Sequence, residues 1–206
     1  MSTRVAPAWT LGVLAGGRSR RMGRDKASLE LDEHSLLEHQ IRRLAPPGVP
    51  VLVGTRPDGP GRDMGHPWVP DCVADAGPLA SLAALLAACE TPWLLVVPCD
   101  APLLPADLGD ALLAHGKGVE AVLLEVDDRV EPLPALVASD LAPVVRDALD
   151  AGARRMDSWR DGVACSHVPF DRIYPDLVPG DVLLNVNAPE DLQRARVLLR
   201  RGTGSR

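Results

Sequence analysis

Residues 14–26 read LAGGRSRRMGRDK: two adjacent glycines, Gly16 and Gly17, then Arg18, Arg20, Arg21, Arg24 and Lys26, five cations within nine positions. Glycine lets the main chain turn without a Cβ clash, so bare N–H groups can face an anion while the cations match its charge. This is chemistry for a nucleotide triphosphate. No Gly-Lys-Ser/Thr closes the run and no GxGxxG spacing is present, so neither P-loop nor dinucleotide-binding rules transfer. Lys26 and Arg21 are the phosphate contacts this reading selects. Arg18, Arg20 and Arg24 are read as solvated surface charge.

Carboxylates supply the second half of the chemistry. Asp100 follows the apolar run 93–97 and precedes Ala-Pro-Leu-Leu-Pro, which cannot begin a helix at once and so leaves the carboxylate in a fixed turn. Mg2+ takes one or two protein carboxylates and fills its other positions with water and phosphate oxygens, so Asp100 suits a magnesium ligand; a turn-forming Asp is the alternative. Asp71 and Asp75 flank the next turn, and one of them is a candidate to face the nucleotide. Asp71 is the better candidate because it directly ends a strand; complementing the dipole of the next helix is the alternative for Asp75. The five histidines, His34, His39, His66, His115 and His167, are scattered and read as structural or exposed. Ser19 lacks a GxSxG setting and Cys99 a partnered base, so covalent catalysis has little support. Nucleotidyl transfer to a phosphate acceptor needs no general base, because a phosphate monoester with second pKa near ~6 is already ionised at neutral pH.

The elements that must position these groups alternate along the chain. Strands are predicted over 10–15, 49–54, 68–70, 93–97, 121–126, 135–138 and 182–186. Helices are predicted over 36–44, 79–89, 108–114 and 141–151, with a last helix running to Arg200 behind Asn187 as N-cap and Pro189 in its first turn. This order implies an α/β fold: one doubly wound, mainly parallel sheet with helices on both faces, binding ligands beyond the C-terminal ends of its strands. The residues at those ends are Ala15 to Gly17, Gly54 and Thr55, Asp71, Asp100, and Asn185 with Asn187.

A length of 206 residues with 46% hydrophobic content suits a single core, assigned to 9–200, with frayed ends at 1–8 and 201–206. A formal net charge of −6 argues against bulk nucleic-acid binding; positive charge is local to the glycine loop. Cys72, Cys89, Cys99 and Cys165 form no CxxC pair, so reduced thiols in the cytoplasm are expected, with no zinc site and no disulfide scaffold. No secretory signal is read, and no apolar run approaches the ~20 residues of a membrane span.

Five blocks in order carry a family resemblance: LAGGRSRRMGRDKASL at 14–29, DCVADAGPLASL at 71–82, PCDAPLLP at 98–105, PLPALV at 132–137 and NVNAPEDL at 185–192. Together they resemble the molybdenum cofactor guanylyltransferases. The resemblance implies a Rossmann-like fold and transfer of GMP from GTP to molybdopterin or its molybdenum form, with pyrophosphate released and Mg2+ required. It further implies transient contacts with cofactor-biosynthesis proteins and target molybdoenzymes. By matching position, Leu14, Ala15, Gly16 and Gly17 resemble the backbone segment on the guanine nucleotide, and Lys26 the phosphate-binding lysine. Asp71 and Gly54 resemble nucleotide contacts, Asp100 the magnesium ligand, and Asn185 and Asn187 the asparagines on the molybdopterin side, with Arg21 stabilising charge at the α-phosphate. Ala-Gly-Gly stands at 15–17 where related cytidylyltransferases carry Ala-Ala-Gly, which makes room for a purine. Two positions depart from the family: Gly54-Thr55 where an asparagine often ends the second strand, and Ser81 where GPLAG has its second glycine. A related transferase using CTP or another phosphorylated acceptor, or an inactive nucleotide-binding relative, is the alternative.

Overall fold

The computed structural model describes residues 7–15, 26–56, 65–73 and 76–202. The segment 16–25, with Gly16, Gly17, Arg18, Arg20, Arg21 and Arg24, lies outside the described residues, as do Asp75, the Lys26 side chain and both chain ends. The elements are β1 (Trp9–Leu14), β2 (Glu30–Leu31), β3 (His34–Ser35), α1 (Leu36–Leu44), β4 (Val51–Thr55), β5 (Trp68–Pro70), α2 (Pro78–Ala88), β6 (Trp93–Pro98), α3 (Leu108–Leu113), β7 (Ala121–Val126), β8 (Arg129–Ala138), α4 (Ala142–Asp150), β9 (Cys165–Pro169), α5 (Phe170–Ile173), α6 (Pro179–Val182) and α7 (Pro189–Arg200).

Seven strands form one sheet in the order β5-β4-β1-β6-β8-β7-β9, and β2 and β3 pair in a small separate hairpin. Only β8 runs antiparallel to its neighbours; β5, β4, β1 and β6 are mutually parallel, as are β7 and β9. The mainly parallel, doubly wound expectation holds. Fully buried central strands, such as β1 with every residue buried, read as continuous apolar runs because helices cover both faces.

Residue alternation divides the core. Leu11 and Val13 of β1, Val51 and Val53 of β4, and Leu95 and Val97 of β6 pack with α1 and α3 through Leu37, Ile41, Leu44, Leu108 and Leu112. On the opposite face Leu52, Leu94 and Val96 meet α2 and α4. There Leu85 of α2 sits over two glycines in adjacent strands: a Cβ on Gly12 or Gly54 would lie 3.3 Å or 3.0 Å from Leu85 Cδ1. The missing methyls let α2 approach the sheet closely. A third cluster, of Leu31, Leu36, Val186 and Ala195, seats α7 against the hairpin and the start of α1.

Local signals account for the helix starts. Ser35 caps α1, its hydroxyl accepting from Glu38 N at 3.2 Å, and Pro78 opens α2 behind Gly77 at φ 77°. Where sequence and structure differ, the causes are physical. The strand expected over 182–186 is instead the end of α6 and an extended connector, because Pro179 starts a helical turn. Val182 and Val186, both 0% exposed, then pack into different clusters. An apolar run alone does not distinguish these outcomes. The N-cap of α7 is Ala188, not Asn187; the Asp191 carboxylate accepts from both backbone N–H groups, at 2.8 Å each. β8 begins six residues earlier than expected, since Pro132 and Pro134 lie where the β7–β8 register is interrupted and no ladder donor is needed.

Candidate active site at the strand ends

Four backbone hydrogen bonds run in series along the C-terminal edge of the parallel strands. Asp71 N donates to Thr55 O at 2.9 Å, Ala15 N to Gly54 O at 2.8 Å, Cys99 N to Leu14 O at 3.1 Å, and Val186 N to Asp100 O at 2.7 Å. They stitch the ends of β5, β4, β1 and β6, and the connector between Asn185 and Asn187, into one rim. Leu14, Ala15, Gly54, Asp71, Asp100, Asn185 and Asn187 are thus brought together. The asparagines arrive on a connector held by Asp100, not on a strand end as expected.

Gly54 has no side chain and contributes only main chain to this rim; a Cβ there would meet Leu85 of α2. Thr55 is 0% exposed, and its Oγ1 has no hydrogen-bond partner among the described residues. By alternation with Val51 and Val53 it faces the α1 layer.

Asp71 is half-buried, and burial pushes its carboxyl above the usual carboxylate range, opposed by the Ser81 hydroxyl and by the Arg56 guanidinium. Ser81 Oγ donates to Asp71 Oδ1. The serine that departs from the family pattern is therefore a partner of the candidate nucleotide carboxylate, on the buried first turns of α2. A carboxylate raised by desolvation, with one hydroxyl donor and a nearby guanidinium charge opposing the shift, is an arrangement common at functional sites.

Asp100 is also half-buried. Among the described residues no group of three or more His, Cys, Asp or Glu side chains could enclose a metal. A site of fewer than three such ligands among the described residues fits Mg2+ that shares its remaining positions with nucleotide phosphates and water, and does not fit an all-protein cage.

The support of that turn comes from α1, far away in sequence. Gln40, 0% exposed on α1, donates through Nε2 to Pro98 O at 2.9 Å and to Ala101 O at 2.8 Å. From the same helix Arg43 Nε reaches Leu104 O at 2.5 Å, and His39 Nε2 lies 3.0 Å from Pro102 O. A carbonyl only accepts, so His39 carries its proton on Nε2. Burial depresses the His39 pKa below 6.5, opposed by that same carbonyl. The available signal was a glutamine inside the apolar stripe of α1, which needs a buried partner.

Glycine loop, strand-end carboxylates and parallel sheet together define a nucleotide-handling α/β domain of the nucleotidyltransferase type. The chain matches the model of the MobA-like NTP transferase domain over residues 11–166 and belongs to that family. It is 37% identical over 168 residues to a molybdenum cofactor guanylyltransferase of Bordetella petrii, covering 77% of this chain and 86% of the relative. It is 33% identical over 195 residues to one of Shewanella loihica, covering 92% and 96%. Among solved structures it resembles molybdopterin-guanine dinucleotide biosynthesis protein A from Archaeoglobus fulgidus, with TM-score 0.76, 20% identity and coverage of 93% and 99%. It also resembles 2-C-methyl-D-erythritol 4-phosphate cytidylyltransferase from Thermus thermophilus, with TM-score 0.67, 19% identity and coverage of 92% and 98%. At these identities the structural likeness is one of fold. No helix among the described residues is long and apolar enough to cross a membrane.

Proposed function

We propose that the protein transfers GMP from GTP to molybdopterin or its molybdenum form. An acceptor phosphate oxygen attacks the α-phosphorus, a new P–O–P linkage forms, the bond to the β-phosphate breaks and pyrophosphate leaves. The observation that supports the reading is the hydrogen-bonded rim, which brings Asp71, Asp100 and the connector of Asn185 and Asn187 along one edge of the sheet in a family of NTP transferases.

In this reading Leu14, Ala15, Gly16 and Gly17 receive the guanine nucleotide through main chain, with Gly54 contributing backbone and Asp71 a carboxylate. Lys26 and Arg21 neutralise phosphate charge, and Asn185 and Asn187 hold the acceptor. Asp100 is the ligand of Mg2+, which when bound neutralises charge developing on the pyrophosphate leaving group. Positioning and electrostatics then carry the step without a protein base.

The test is a Mg2+-dependent titration with GTP, CTP, ATP and UTP, joined to a pyrophosphate-release assay with molybdopterin. GTP is expected to bind far more tightly than CTP, with release only when the acceptor is present and lost in Asp100→Asn. CTP binding as well as GTP overturns the guanine assignment. Release from a different phosphorylated acceptor alone overturns the molybdopterin one.

A further inference from the structure

Asp100 lies in a segment that cannot organise its own backbone. Pro98, Pro102 and Pro105 lack N–H donors, so the carbonyls between them need partners from elsewhere. Strand and connector supply two fixings, Cys99 N to Leu14 O and Val186 N to Asp100 O. Further hydrogen bonds come from side chains on α1, those of His39, Gln40 and Arg43. Gln40 alone of these grips the turn on both sides of Asp100, with its two amide protons on Pro98 O and Ala101 O.

Packing by itself does not call for a glutamine there. Its helical neighbours Leu37, Ile41 and Leu44 belong to the apolar layer, and a residue of that kind would extend it. The glutamine Oε1 moreover has no hydrogen-bond partner among the described residues, a cost the fold carries at a fully buried position. The amide cannot turn over to relieve it, because Oε1 would then face two carbonyl oxygens. The side chain is thus held in one orientation by the turn it grips.

We propose that Gln40 is a positioning residue that sets the Asp100 carboxylate for the nucleotide-bound divalent cation. The proposal rests on the reading of Asp100 as the metal ligand. Groups that orient a ligand from behind change metal affinity by about 10–100-fold when removed. Gln40→Leu removes both donors while keeping bulk, and Gln40→Met, closest in shape, is measured beside it in case leucine does not fold.

Mn2+ binding to the full-length protein–GTP complex, followed by water-proton relaxation, is compared in both variants and in Asp100→Asn, with GTP affinity in EDTA and melting temperature recorded for each. The expected result is Mn2+ binding weakened at least about tenfold in the Gln40 variants, with GTP affinity in EDTA at the parent value. Unchanged Mn2+ affinity in a folded Gln40 variant, with loss in Asp100→Asn, overturns the positioning role alone. Unchanged affinity in Asp100→Asn overturns the reading of Asp100 and the proposal with it.

Discussion

Gly54→Ala probes how closely α2 approaches the sheet. The new methyl would lie 3.0 Å from Leu85 Cδ1, 3.1 Å from Cγ and 3.4 Å from Cδ2. Comfortable carbon contacts are about 3.5–4.0 Å, so Leu85 must retreat by roughly half an ångström. Leu85 is 0% exposed and shares its cluster with Leu79, Leu82, Leu86 and Leu94, which leaves it no open space. Overpacking of this kind costs about 1–3 kcal/mol. Alanine recovers about 0.5–1 kcal/mol through the smaller entropy of its unfolded backbone. Overpacking is the larger effect, and a net loss of up to about 2.5 kcal/mol is expected, read as a lower urea midpoint at constant slope. Leu85→Ala alone should cost about 2–5 kcal/mol. In the double variant the methyl added at position 54 occupies part of the vacated volume, so the sum of the single losses should exceed the observed loss by about 1–2 kcal/mol. Strict additivity of the two substitutions refutes the close approach.

Ser81→Ala should shift the acid limb of GTP binding to higher pH, because burial already raises the Asp71 carboxyl and the serine donor is what opposes it. The ionised Asp71 costs stability above its raised folded pKa and is relieved below the unfolded 3.8; an acid limb that stays in place in Ser81→Ala rejects this role. His39 contributes stability that is fully present above its unfolded 6.5 and is lost as pH falls through its depressed folded pKa, since the unfolded chain takes up the proton first. Urea midpoints measured below neutrality should therefore fall less steeply in His39→Gln than in the parent, and parallel slopes would remove His39 from the account.

Much of the architecture was legible because the central parallel strands β1, β4 and β6 are almost wholly buried. Runs such as β6 (Trp93–Pro98) have no polar face to confuse with solvent, and β7 (Ala121–Val126) matches its expected bounds. β9 escaped because only Val168 of its five residues is buried, so neither alternation nor a continuous apolar run marks it. The connector of Asn185 and Asn187 differs from the strand expected over 182–186 for the opposite reason. Its apolar residues resemble a strand, yet Val182 and Val186 serve two different clusters.

Residues and their order along the chain reveal a cationic glycine loop, candidate strand-end carboxylates and paired asparagines. Those follow from residue type and local order. Tertiary structure alone decided which groups support which. Gln40 meets the Asp100 turn across 61 positions at its farther hydrogen bond, and Ser81 meets Asp71 only because α2 settles onto Gly12 and Gly54. Buried polar groups must find partners wherever the packing of helices on the sheet places them, and no local sequence pattern encodes that distance.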